Sequence, residues 1–125
     1  TATLADNAEL QLALGYSLVR AGRASEALDH FEIAATRAAD TPDFAYVHGI
    51  ALNSLGRAER ALEVLSSAHE RFPGHRDLLY ALTTVLRDEG LRDEALLHAR
   101  RLAALAPADE RARALVEELS AGQPD

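Results

Sequence analysis

Gly22, Gly56 and Gly90 stand 34 residues apart, and the same step relates many other columns of the chain. It carries Ala27 to Ala61 to Ala95, and Leu28 to Leu62 to Leu96. Leu18 returns as Leu52 and Leu86, Pro73 returns as Pro107, and Gly15 returns as Gly49 before giving way to Thr83. No insertion breaks the period. A chain written this way is a repeated unit, and each unit must bury its apolar face against the next.

Each unit reads as two helices. In the second half of unit one the apolar positions are Ala27, Leu28, Phe31, Ala34, Ala35 and Ala38, one stripe at helical spacing. Ala61, Leu62, Leu65, Ala68 and Phe72 repeat it, as do Ala95, Leu96, Ala99, Leu102, Ala103 and Ala106. The first halves carry Leu14 and Leu18, then Ile50, Leu52 and Leu55, then Leu78, Leu79, Leu82 and Leu86. Gly22, Gly56 and Gly90 fall just past each first helix, where a left-handed residue ends a helix without steric cost. Thr41-Pro42 reads as an N-cap followed by proline in the first turn. Pro73 and Pro107 stop the second helices of units two and three; unit one has Ala39 instead, so its second helix is expected to end differently.

A 34-residue helix–turn–helix unit resembles the tetratricopeptide repeat. Unit one supplies Gln11, Leu14-Gly15, Leu18, Ala27 and Phe31; unit two Ala45, His48-Gly49, Leu52, Ala61, Leu65 and Pro73; unit three Leu79, Leu82-Thr83, Leu86, Ala95, Ala99 and Pro107. No unit carries the family's Trp or its pattern Tyr, and Ala99 replaces the large residue of unit three. The resemblance covers residues 8–109, about four fifths of the chain. It implies an all-α fold: a right-handed α-solenoid of antiparallel helix pairs, about seven helices, with repeats at about 8–41, 42–75 and 76–109. Residues 109–121, with Ala112, Leu115, Val116 and Leu119 apolar, read as a capping helix that covers the last repeat. Asp6 to Glu9 reads as a capping-box start of the first helix, and Gln123-Pro124-Asp125 as a frayed end. Gly15 and Gly49 are expected to lie against Ala27 and Ala61.

Composition agrees and excludes. Apolar residues are 48% of the chain but aromatics only 5%, so Ala and Leu must make the core, which favours packed helices over sheets. At 125 residues the chain is a single domain's worth, able to bury roughly two thirds of its unfolded surface. With no Cys, disulfides, zinc–thiolate sites and thiol catalysis are excluded. The chain lacks Lys, carries a formal net charge of −7, and has no long apolar run, so neither nucleic acid nor a membrane is expected as a partner. The first residue is Thr1 and Met is absent, so a piece of a longer protein is expected. Ala- and Arg-rich, Lys-free usage resembles that of a GC-rich bacterial genome, so a bacterial source is expected. Cytoplasm is the default compartment, with periplasm open if the parent chain carries a signal.

The function implied is capture of a partner protein or peptide on the concave wall lined by first helices. By helical phase that wall carries Glu9, Leu12, Tyr16, Val19 and Arg20; Asp43, Tyr46, Ile50 and Asn53; Asp77, Tyr80, Thr84 and Arg87. Of these, Leu12, Tyr16, Val19, Tyr46, Ile50, Asn53, Tyr80, Thr84 and Arg87 are the candidate binding residues. All three tyrosines of the chain fall in this set, and tyrosine gives large contact area at low entropic cost. Chaperone-binding members of the family grip a C-terminal carboxylate with Lys, Asn and Arg in the groove. Leu12, Tyr16, Asp77 and Ala81 hold matching first-helix positions here, so that clamp is not implied. The wall is apolar and aromatic with acidic rims, suited to an apolar helix or extended peptide with some basic residues.

No cofactor is implied. His30, His48, His69, His75 and His98 contain no i, i+4 pair, and His48 reads as a hydrogen-bonded core residue. Arg71 to Asp77 reads as a turn. Asp88-Glu89, Asp93-Glu94 and Glu117-Glu118 are adjacent on helices and read as solvated surface, not acid–base pairs. No nucleophile–base arrangement marks an enzyme. The alternative to peptide capture is an appended domain that docks on its own parent chain or self-associates weakly.

Overall fold

The structure, a computed structural model, describes residues 7–121. Seven helices follow in order: α1 (Ala8–Arg20), α2 (Ala24–Arg37), α3 (Pro42–Ser54), α4 (Ala58–Arg71), α5 (Arg76–Asp88), α6 (Arg92–Leu105) and α7 (Glu110–Ser120). They form antiparallel pairs α1–α2, α3–α4 and α5–α6, each packed on the next, with α7 against α6.

The 34-residue step is written into the backbone hydrogen bonds. Gly22, Gly56 and Gly90 have φ of +79°, +78° and +81°. After α1, the Gly22 N–H donates to Val19 O and the Arg23 N–H to Leu18 O, at 3.0 and 2.8 Å. Gly56 and Arg57 make the same two bonds to Asn53 and Leu52, and Gly90 and Leu91 to Arg87 and Leu86. This is a Schellman ending, which satisfies helix carbonyls and reverses the chain in three residues.

Helix starts keep the same step, at Asn7, Thr41, His75 and Asp109. Asn7 Oδ1 accepts from Leu10 N–H at 3.0 Å and Asp109 Oδ1 from Arg111 N–H at 2.9 Å. The first cap is therefore Asn7; Asp6, expected to open a capping box, lies outside the described residues, as does the 123–125 tail. Thr41 caps through backbone geometry and Pro42, without a side-chain bond. His75 was expected only as part of a turn. Its Nδ1 accepts from Leu78 N–H at 3.2 Å, so its proton sits on Nε2, which donates to Asp43 Oδ1 at 2.7 Å.

The second helices all end at one register, Arg37, Arg71 and Leu105. Unit one lacks the proline, yet α2 does not end differently. Thr41 N–H bonds Ala38 O just as His75 bonds Phe72 and Asp109 bonds Ala106. That turn and the cap after it end the helix, and proline only reinforces them.

Packing at the repeated glycines differs from expectation by one helical turn. A Cβ on Gly15 would lie 2.3 Å from Phe31 Cε1, and one on Gly49 2.4 Å from Leu65 Cδ2. The close partners are thus the large residues Phe31 and Leu65, not Ala27 and Ala61. In the third pair the sizes are exchanged, because Thr83 stands at the glycine position and Ala99 at the large one. Both are fully buried, and Thr83 Oγ1 donates to Leu79 O at 2.6 Å. Filled volume is kept with the roles reversed.

The core is uneven along the stack. A large cluster joins Leu65, Leu78, Leu82, Leu86, Leu96 and Leu102 to Leu115 and Leu119 of α7. A smaller one, Leu28, Leu52 and Ala61, ties the first pair to the second. Arg92 fastens the far end: it donates to Leu119 O at 3.0 Å, to Glu118 O at 2.9 Å and to Ala121 O, taking up carbonyls that α7 leaves open.

Candidate partner-binding wall

The first helices repeat their exposed faces in register, so the wall is made of columns. Glu9, Asp43 and Asp77 form one column, Leu12, Tyr46 and Tyr80 the next, then Tyr16, Ile50 and Thr84, then Val19, Asn53 and Arg87. Tyr46 lies at the centre. Burial, and then the Asp77 carboxylate, push its phenol above the ordinary value, with Tyr16, Tyr80 and Arg111 also within electrostatic reach.

Between the first and second pairs the wall opens. α3 packs along α5, whereas α1 has no such run along α3 among the described residues. The space left is a cavity of about 430 Å³. Tyr16, Val19, Tyr46 and Ile50 line it together with Ala24, Phe31, Val47 and Leu55. Tyr16, Val19 and Ile50 are 42, 46 and 39% exposed, high for apolar groups on one wall. The Tyr16 ring meets Phe31 edge-on, with centroids 5.6 Å apart.

Four of the nine candidate residues are therefore brought to one pocket, while Leu12 and Asn53 stay outside its lining. The three from α5 are engaged elsewhere. Arg111 of α7 lies over the Tyr80 ring at 4.6 Å, Thr84 Oγ1 donates to Ala81 O at 2.9 Å, and Arg87 pairs with Asp88 and Glu118. Arg111 stands at the fourth rung of the acidic column, 34 residues after Asp77, and ends it with the opposite charge. The capping helix thus closes one end of the wall. Helical phase assigns Phe31 and Leu55 to packing between helices and singles out no role for Val47; all three line the pocket because that packing is incomplete here.

The histidines take other places. His48 is buried, at 5% exposure, and burial lowers its pKa. His30 Nδ1 lies 2.7 Å from Gln11 Oε1, linking α1 to α2. His69 and His98, far apart in sequence, bring their rings to 5.6 Å between centroids, and each has a buried Nδ1 without a hydrogen-bond partner. Among the described residues no three His, Asp or Glu side chains are grouped as a metal site would require, and no helix is long and apolar enough to cross a membrane.

Two tetratricopeptide-repeat family models match the chain, over residues 12–76 and 52–119. Among solved structures, MamA 41-end from Desulfovibrio magneticus RS-1 is similar, with 30% identity and a TM-score of 0.79, covering 90% of this chain and 63% of that one. This chain thus spans less than two thirds of that relative's length. PcrH from Pseudomonas aeruginosa matches at 23% identity and a TM-score of 0.80, over 91% of this chain and 92% of its own. The first TPR of Spaghetti (RPAP3), bound to the HSP90 peptide SRMEEVD, matches at 16% identity and a TM-score of 0.80, over 90 and 92%. No curated protein matches the chain. By both family models and by its stacked helix pairs, the chain belongs to the tetratricopeptide repeat family, whose members are generally non-catalytic protein-interaction modules.

Proposed function

We propose that the chain captures a segment of a partner protein on the wall of first helices, and that it catalyses nothing. The observation that carries this reading is the pocket between the first and second pairs. Its volume, about 430 Å³, and its lining by Tyr16, Val19, Tyr46 and Ile50 suit one bulky apolar side chain with its neighbours. Glu9, Asp43 and Asp77 along one edge of the same wall favour basic residues beside that anchor. The peptide held by the RPAP3 domain is a precedent for the fold, though it carries the opposite charge balance and this wall lacks Lys.

Replacing Tyr46 and Ile50 by Ala and repeating a pull-down from native lysate tests the reading. Partner recovery should fall about tenfold or more, since buried aromatic anchors dominate such interfaces. Unchanged recovery by a variant that keeps its helical circular dichroism would exclude the wall as the binding surface.

A further inference from the structure

The last second helix departs from its two predecessors on the surface that faces away from the core. At three positions where both earlier pairs carry a charge, this pair carries leucine. Leu91 takes the place of Arg23 and Arg57, Leu97 of Asp29 and Glu63, and Leu105 of Arg37 and Arg71. All three are exposed, at 42, 51 and 47%. Exposed Ala104 similarly follows Thr36 and Glu70. Pairs one and two hold their fold with charges at these positions, so packing of the solenoid does not require the leucines.

Leu97, Arg101, Ala104 and Leu105 are spaced i, i+4, i+7 and i+8, so α6 carries a second stripe besides Ala95, Leu96, Ala99 and Leu102, which it buries. Beside the stripe lies a depression of about 400 Å³ between the ends of α4 and α6, lined by Pro73, Leu79, Leu105, His69 and Arg101 among others. No acidic residue lines it. Arg101 has no carboxylate within ion-pair distance among the described residues. An apolar stripe with an unpaired cation at its centre is a surface of defined complementarity.

We propose that the outer stripe of α6 docks a segment of a partner protein that sets apolar side chains against Leu97 and Leu105 and a carboxylate on Arg101. A second copy of the chain fits poorly. A two-fold axis across the stripe would match Leu97 to Leu105 but would set Arg101 against its own equivalent, between molecules each of net charge −7. The stripe lies on α6, shares no residue with the candidate set of the first-helix wall, and does not depend on the reading of that wall, whose rim calls for basic partners instead.

The experiment pans phage-displayed random peptides against the wild-type chain and ranks the enriched ones against two variants. Leu97→Glu with Leu105→Arg restores the residues that pair two carries at those positions, so it should melt like wild type. Enriched peptides should combine Leu, Ile or Phe with Asp or Glu, lose about tenfold or more in affinity for this variant, and bind Tyr46→Ala unchanged. Should the double variant melt early, the exposed Arg101→Glu alone gives the same reading through lost affinity for acidic peptides. The proposal is overturned if the peptides are basic, or if they bind the α6 variants as they bind wild type. It is also overturned if wild type sediments as a dimer that the double variant dissolves.

Discussion

At Gly49 a side chain has nowhere to go. Its Cβ would meet Cγ and Cδ2 of Leu65 at 2.5 and 2.4 Å, and Leu65 is fully buried. Gly49→Ala should therefore destabilise by about 1–3 kcal/mol through overpacking. Leu65→Ala should cost about 2–5 kcal/mol through the cavity it leaves. The Cβ that Gly49→Ala adds would enter the space that Leu65→Ala vacates, so the two changes are not independent. In a urea-denaturation cycle Gly49→Ala with Leu65→Ala should be less destabilising than the sum, by about 0.5–3 kcal/mol. Strict additivity would mean that these two residues do not share the space. The 34-residue step marked the glycine column; which residue faces it depends on the crossing of two helices, and so fell one turn from Ala61.

Between α4 and α6 two elements meet through His69 and His98. Burial, then the Arg101 charge, lowers the pKa of both; the Glu70 and Glu94 carboxylates oppose this, and His69 itself adds to the effect on His98. Each imidazole then binds fewer protons folded than unfolded. Stability is fully present above the unfolded imidazole value of about 6.5 and is lost as pH falls through the lower folded values. Melting temperature should drop between about pH 7.5 and pH 5, and His69→Gln with His98→Gln should flatten that slope, leaving the share of His48. A slope identical to wild type would remove these two residues as its cause. The turn from Arg71 to Asp77 was legible as a turn, but its use of His75 as a cap was not, since imidazole caps only when Asp43 fixes its tautomer.

As a stack, the molecule is better secured at one end. The larger core cluster runs through pairs two and three into α7, and Arg92 ties that end down, while the first pair is joined through Leu28, Leu52 and Ala61. In a one-dimensional array, stability follows the interfaces between neighbours. Amides of α1 and α2 should accordingly exchange hydrogen sooner than those of α5 and α6 in native-state exchange read by mass spectrometry. Equal protection along the chain would contradict the uneven core. The weaker interface borders the pocket at Tyr16 and Ile50, the place where an incoming side chain would complete the packing between α1 and α3.

From the residues alone came the period, the helix pairs, the helix-ending glycines and the residues of the wall, because these depend on spacing along one chain and on the conformations each residue allows. Which members of a column stay available was settled by tertiary structure. Tyr16, Val19, Tyr46 and Ile50 share a pocket because α1 stands off from α3, whereas Tyr80 and Arg87 are taken up by α7. Helical phase assigns a side chain to a face of its own helix; it carries no information on how closely the neighbouring helix approaches that face. That distance is fixed by side-chain volumes from several helices at once, as Gly15 with Phe31 and Gly49 with Leu65 show.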